Sequence, residues 1–349
     1  GYDGRCRNLS DAQRRALEAE GRPRAVRFAL PGTDITFRDL IRGDAHFPAN
    51  DLRDFVILRS DGTPTYLLAA AVDDVLMKMT HVIRGEDLLP STPRQLQIIE
   101  ALGASPPAYA HLPLIVGPDR QPLSKRHGAV AVEWFKEQGY LPEALVNYLA
   151  LLGWSYDETT TFFSPDELIE RFDLGRVSHN PAAFDGDKLQ WMNGHYIRES
   201  DDSRLTELLI VALLHEGIDA DPVLVARATP LIKERMHTIR EGAELIRFLF
   251  VEEIRPDEKA AKLLGADRAE YLREVASRLE GIEDWTHTEI ERVLRDLQQG
   301  SGMSAKNAFQ PIRAAVTGTL VSPPLFESIE LLGKERTLAR LRTATGGRT

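Results

Sequence analysis

The sequence predicts a multidomain protein, α/β in its first third and all-α over most of the rest. Three observations carry that expectation. Short β-like runs between residues 25 and 116 alternate first with turns and then with helical stretches. Beyond residue 129, amphipathic helical segments follow one another. A length of 349 residues is enough for two or three domains, each burying its own core.

AVRFALPG at 25–32, ITFRDLIRGDAHF at 35–47 and FVILRSDGTPTY at 55–66 read as strand-forming runs. Ser-Asp-Gly at 60–62 signals a hairpin turn. AAAVDDVL at 69–76 predicts a helix, and Thr80 to Ile83 a short buried strand. In STPRQLQIIEALG at 91–103, Ser91 is placed as an N-cap, Pro93 lies in the first turn and Gly103 follows the end. Leu96, Ile99 and Leu102 share one face. HLPLIVGPDRQ at 111–121 then reads as a strand ending in a turn, which completes the order of a parallel α/β domain's later half. Further on, LPEALVNYLALLGW at 141–154 carries leucines at helical spacing, and SPDELIERFDLG at 164–175 opens with a capping box of Ser164 and Glu167. Amphipathic segments at 203–217, 226–250, 268–280 and 288–300 are expected helices, with linkers near 200 and 255.

Hydrophobic residues make up 43% and charged residues 28%, the proportions of a soluble globular protein. LLAAAV at 67–72 is far too short for a bilayer span, so no membrane segment is expected. The opening Gly-Tyr-Asp-Gly-Arg shows no basic-then-apolar leader to read as a secretory signal. Cys6 is the only cysteine, which forbids an intramolecular disulfide and leaves a thiolate zinc site without partners, so a cytoplasmic protein is expected. A net charge of −10, from 43 Lys and Arg against 53 Asp and Glu, argues against nonspecific coating of nucleic acid, but a local basic face is compatible with it.

Neither GxxxxGK[ST] nor GxGxxG nor Gly-x-Ser-x-Gly occurs. The nine histidines are never closer than 16 positions, which excludes HExxH helices. Arg84 lies just past a short strand, where parallel α/β sheets present binding groups. It would either grip a carboxylate with two parallel hydrogen bonds or pair with Glu86 or Asp87. Tyr66 would supply a hydroxyl to the same pocket or be a half-buried aromatic. PLSKRHG at 122–128 places Ser124, Lys125, Arg126 and His127 between Pro and Gly, as a solvated turn or a phosphate-binding loop would. In the second case the Lys125 ammonium would meet the charge that builds on the α-phosphate of ATP under nucleophilic attack.

YDGRCR at 2–7, LRSDGTPTY at 58–66, THVIRGED at 80–87, TPRQ at 92–95, LSKRHG at 123–128 and LVNYLALLGW at 145–154 together resemble bacterial glutamyl-tRNA synthetase, a class I family. FDLGRVSHNPAAFDGDKLQWMNGHYIR at 172–198 and FQPIRAAVTGTLVSPPLFESIELLG at 309–333 extend the resemblance nearly to the end. It implies a partial Rossmann-like nucleotide-binding fold followed by helical stem-contact and anticodon-binding domains. The expected segments are 1–65 for the acceptor-binding insertion, 66–115 for the second half of the catalytic fold, and 116–201 for the stem-contact domain. Residues 202–255 and 256–349 would form two helical anticodon-binding domains.

The same resemblance assigns Leu123, Ser124, Lys125 and Arg126 to ATP, with Lys125 catalytic, in a KMSKS-type loop whose first Lys is here Pro122. Tyr66 and Arg84 would line the glutamate and adenylate pocket. Basic positions on otherwise acidic helices, Lys233, Arg235 and Arg240 in one stretch and Lys306, Gln310 and Arg313 in another, are the expected tRNA footprint. Glutamate, ATP with Mg²⁺, and tRNA(Glu) are the implied partners of a monomer. The family's N-terminal His-x-Gly-His is absent from these 349 residues. The sequence is therefore expected to begin within the insertion, with roughly one hundred residues, a domain's worth, ahead of it. Cys6 sits where some relatives complete a zinc site, but Asn8 is no ligand, so no zinc is expected. The alternative to a ligase inactive in isolation is a catalytically silent tRNA-binding remnant.

Overall fold

The computed structural model describes residues 2–21, 23–123 and 131–346. The chain divides into two compact units, Gly1–Gly128 with Leu149–Asp185 and Ala129–Tyr148 with Gly186–Thr349. In chain order the first stretch contains α1 (Asp11–Ala19), β1 (Val26–Phe28), β2 (Ile35–Asp39), β3 (Gly43–Phe47), β4 (Phe55–Leu58), α2 (Tyr66–Leu76), β5 (His81–Gly85), α3 (Thr92–Ala101), β6 (Ala108–Leu112) and β7 (Ile115–Val116). Then come α4 (Val132–Gln138), α5 (Pro142–Ala150), α6 (Pro165–Arg171), β8 (Ala182–Ala183), α7 (Gly186–Glu199), α8 (Asp202–His215), α9 (Pro222–Ile232) and α10 (Ile239–Ile246). The chain closes with α11 (Glu258–Ala261), α12 (Ala266–Glu280), α13 (His287–Ser301), α14 (Ala305–Thr317), α15 (Leu325–Leu332) and α16 (Lys334–Ala344).

In the first unit a four-stranded sheet runs in the order β3-β2-β6-β5. The 35–47 run is a hairpin rather than one strand. Asp39 accepts the backbone N–H groups of Ile41 and Arg42, each at 3.0 Å, and Gly43 adopts φ +75°, so the sequence itself closes a three-residue turn. β2 and β6 pair in parallel only at Asp39 and Tyr109, whereas β6 and β5 pair in parallel over their full lengths. β1 and β4 form a separate antiparallel pair. Leu30, Ile35, Phe55, Ala71, Ile98 and Ile99 make this unit's main core, and Trp154, Phe163, Leu168 and Val177 a smaller one.

Three local expectations are corrected. The turn at 60–62 exists, with Gly62 at φ +85° and with Arg59 N–H bonded to Thr63 O and Thr65 N–H to Ile57 O, each at 2.8 Å. No full second strand follows, because the chain enters α2 at Tyr66. The strand at 80–83 is not buried: Ile83 is 50% exposed, because β5 has β6 as its one neighbour among the described residues. Ser91 does not cap α3, since a 3₁₀ turn over Glu86–Ser91 runs straight into the helix and leaves Ser91 in helical backbone. The capping box of Ser164 and Glu167 forms, with bonds of 2.9 and 3.2 Å in the two directions.

The second unit is helical, with one core running from Leu141 through Leu209, Ile232, Leu272 and Ile312 to Leu341. The amphipathic 226–250 segment is two helices, because α10 restarts at Thr238, whose hydroxyl accepts Glu241 N–H at 3.2 Å. No described helix is long and apolar enough to cross a membrane.

Candidate functional site

Arg84 stands near the carboxyl end of β5 at the centre of a buried polar cluster. Its Nε donates to His111 Nε2 at 3.1 Å, and its Nη2 donates to Thr92 Oγ1 and to Gln95 Oε1, both at 2.8 Å. Nη1 makes one long bond, 3.4 Å, to the Tyr66 hydroxyl. The guanidinium also lies 5.4 Å from the Tyr109 ring centroid, within cation–π range. Thr92, Gln95 and His111 are essentially inaccessible to solvent, whereas Tyr66 is 52% exposed.

No carboxylate pairs with Arg84 among the described residues: Glu86 instead bonds Arg42 and accepts Leu114 N–H at 3.2 Å. The ion pair with Glu86 or Asp87 is therefore not what holds it. The two-bond grip is corrected as well, because Nε and Nη2 are occupied by buried protein acceptors. The fork is open only at Nη1.

Behind this cation lies a buried pair. His111 Nδ1 donates to Asp39 Oδ2 at 2.6 Å, and His111 backbone N–H reaches Asp39 Oδ1 at 3.2 Å. Burial holds the imidazole pKa below its usual value, with the Arg84 and Arg42 charges adding to it, against an opposing pull from Asp39. Burial alone would raise the Asp39 pKa, but bonds from His111, Arg42 and Ile41 outweigh it, and the carboxyl lies below its usual range. Neutral imidazole has one donor and one acceptor nitrogen, so the donating Nδ1 leaves Nε2 free to accept from Arg84. Burial also lifts the Tyr109 hydroxyl to about 12, with no hydrogen-bond partner among the described residues. Gln95 likewise keeps an unpartnered Nε2, a cost of about 1–3 kcal/mol accepted while its oxygen faces Arg84.

The second unit brings together residues from two of the basic stretches. Arg235, Lys306, Phe309, Gln310, Arg313 and Ser322 line a cavity of about 380 Å³ whose lining includes no acid. Arg235 Nη1 donates to Ser322 O at 2.8 Å, and Arg313 Nη1 donates to Ser322 Oγ and to Pro323 O, the latter at 2.8 Å. Burial, then the neighbouring Arg235 charge, pushes the Arg313 pKa down. Lys233 and Arg240 do not join this cavity. Lys233 bonds Asp202 at 2.9 Å and Ser200 O at 2.6 Å, and Arg240 donates to Gln138 at 3.1 Å.

Leu123 N–H bonds Ile115 O at 2.8 Å, tying the chain back to β7. Ser124, Lys125 and Arg126 lie outside the described residues. Among the described residues no group of three or more His, Cys, Asp or Glu is placed to hold a metal ion, and Cys6 is exposed and unpaired. The residue-by-residue reading missed Asp39, Thr92, Gln95, His111 and Ser322 as site-builders. A signal existed for two of them, because Thr92 and Gln95 are three apart in TPRQ and share a helix face.

Comparison with known proteins finds two domain families along the chain. Residues 1–191 match the catalytic domain of class I tRNA synthetases (E and Q), and residues 204–345 match an anticodon binding domain. A glutamate–tRNA ligase of Nocardioides sp. is 42% identical, over 99% of this chain and 74% of the relative. That of Carboxydothermus hydrogenoformans is 44% identical, over 95% of this chain and 71% of its own. The crystal structure of a glutamate tRNA ligase from Elizabethkingia meningosepticum, in complex with its amino acid, superposes with a TM-score of 0.80 at 30% identity, covering 99% of this chain and 74% of that one. With a catalytic-domain match over more than half its length and curated relatives above 40% identity along nearly all of it, the chain belongs to the glutamate–tRNA ligase family of class I tRNA synthetases.

Proposed function

We propose that this protein serves ATP-dependent charging of tRNA(Glu) with glutamate. A glutamate carboxylate attacks the α-phosphorus of ATP, pyrophosphate leaves, and a terminal ribose hydroxyl of the tRNA then takes the glutamyl group and releases AMP. Arg84 carries the reading: a cation fixed by four buried or half-buried neighbours, with its Nη1 edge beside the half-exposed Tyr66 hydroxyl, suits a substrate carboxylate. Fixed donors of this kind lower the cost of orienting substrate because they do not reorganise on binding. Lys125, with Leu123, Ser124 and Arg126, is assigned to the ATP phosphates. Mg²⁺ would accompany ATP.

For the tRNA, the acid-free cavity of Arg235, Lys306, Gln310 and Arg313 is the better candidate for reading exposed bases. Lys233 and Arg240 are already paired with protein groups and contribute less. We further assign cytoplasmic action as a monomer. Filter-binding titrations should show a preference for tRNA(Glu) over bulk tRNA and a steep loss of affinity with salt. Equal affinity for bulk tRNA would overturn the assignment. Catalytic groups act as units, and these 349 residues contain no His-x-Gly-His. Pyrophosphate exchange by this polypeptide alone, with tRNA and ATP present, should therefore be absent.

A further inference from the structure

Arg84 has five N–H donors in a rigid plane, so its partners decide which edge of that plane faces outward. Thr92 and Gln95, one turn apart on α3, take both hydrogens of Nη2 at 2.8 Å. These two bonds leave rotation about the Nη2 side incompletely fixed. The contacts to Leu88 O at 3.5 Å and to the Tyr66 hydroxyl at 3.4 Å are long, so the firm remaining bond is that of His111, which accepts from Nε at 3.1 Å, also lies 3.2 Å from the Thr92 hydroxyl and is itself held from behind by Asp39 at 2.6 Å. Asp39 is held in turn because its other oxygen, Oδ1, accepts the Ile41, Arg42 and His111 backbone N–H groups.

We infer that Asp39 and His111 form a buried positioning pair that fixes the tautomer of His111 and, through it, the plane of Arg84. A substrate carboxylate is then met end-on, by Nη1 together with the Tyr66 hydroxyl rather than by a two-nitrogen fork. The inference rests on the reading of Arg84 as carboxylate-binding, and it adds the residues that orient it. A neutral imidazole is required for this arrangement, because an imidazolium would present an N–H to an N–H. The displacement of the His111 pKa below its usual value is consistent with that requirement. The Tyr109 ring is stacked beside His111, with centroids 6.1 Å and planes 9° apart.

The test reads Arg84 directly in the whole 349-residue chain, before any ligand is added. The ¹⁵N–¹H resonance of its Nε–H should exchange slowly with water. His111→Gln places an amide oxygen where Nε2 stood and should preserve that protection. His111→Asn keeps a donor toward Asp39 but offers Arg84 no acceptor, and should abolish it. Asp39→Asn can donate to Nδ1, which moves the imidazole proton to Nε2, and should abolish it too. With the non-hydrolysable glutamyl sulfamate analogue of the adenylate as probe, His111→Gln should bind within about threefold of the parent. The other two variants should bind at least tenfold more weakly, although all three melt within a similar range.

Unprotected Nε–H in the parent chain would overturn the inference, as would equal behaviour of His111→Asn and His111→Gln. Arg84→Gln separates the two claims. If it binds the sulfamate as well as the parent does, the carboxylate-binding reading fails and the resonance comparison alone decides on the pair.

Discussion

Arg340, on α16, is 6% exposed and has no carboxylate partner among the described residues. Burial, with the Arg336 charge adding to it, pushes its pKa down to about 10. Its Nη1 donates to Val316 O at 2.7 Å, and its Nη2 donates to Phe248 O at 2.8 Å and Val251 O at 2.6 Å. Val316 lies in the last turn of α14, Phe248 in the 3₁₀ turn after α10 and Val251 two residues past that turn, where helix ends leave acceptors without backbone donors. Arg340→Met removes three charge-assisted bonds of about 1.5–3 kcal/mol each, a loss of roughly 4–9 kcal/mol. Against this stands relief of burying the charge: a pKa displaced from 12.5 to about 10 corresponds to about 3 kcal/mol. The bonds win, and a net loss of about 3 kcal/mol is expected. For a unit of 150–250 residues that lowers Tm by about 6–12 °C, read by circular dichroism, with hydrogen exchange rising in α14 and α16. Arg292→Met, which removes only surface pairs with Glu289 and Asp296, should leave Tm essentially unchanged. A loss below 1 kcal/mol for Arg340→Met, or a gain, would refute the claim that a cation without a counter-ion is held here by helix-end carbonyls.

Arg313→Ala should weaken tRNA(Glu) binding at least tenfold and Arg235→Ala by a similar factor, whereas Lys233→Gln should change it less than twofold, all by filter binding. Gly139→Ala should cost about 2–4 kcal/mol in urea unfolding, because the residue sits at φ +81° and a Cβ would lie 2.7 Å from the Ile239 backbone nitrogen. The Asp157 carboxyl is held at about 2, chiefly by the Thr160 N–H and hydroxyl and then by Thr159. Its folded value lies below the unfolded one, so its contribution is intact above pH 4 and disappears as pH falls toward 2. Carbon-detected titration should place its midpoint near 2, and amide protection at Thr159 and Thr160 should vanish over that interval.

Much of this protein is written in short-range chemistry. The split into an α/β part and a helical part, the Ser164 box and the turns at Gly62 and Gly103 follow from propensity, capping and φ preferences, which act within a few residues. Arg84, Tyr66, Arg235 and Arg313 could be singled out by residue type and place, and the joint match of many stretches identified the family. Which acceptors surround Arg84 was settled elsewhere. Asp39 and His111 are 72 positions apart and meet because β2 and β6 lie side by side, and Thr92 joins the cluster from the first turn of α3, directly after a 3₁₀ turn. Arg235 and Arg313 converge in the same way on Ser322. Periodicity reports which face of an element is buried, whereas a hydrogen bond depends on ångström-scale placement of atoms from distant segments, and that placement is fixed only when the strands and helices pack.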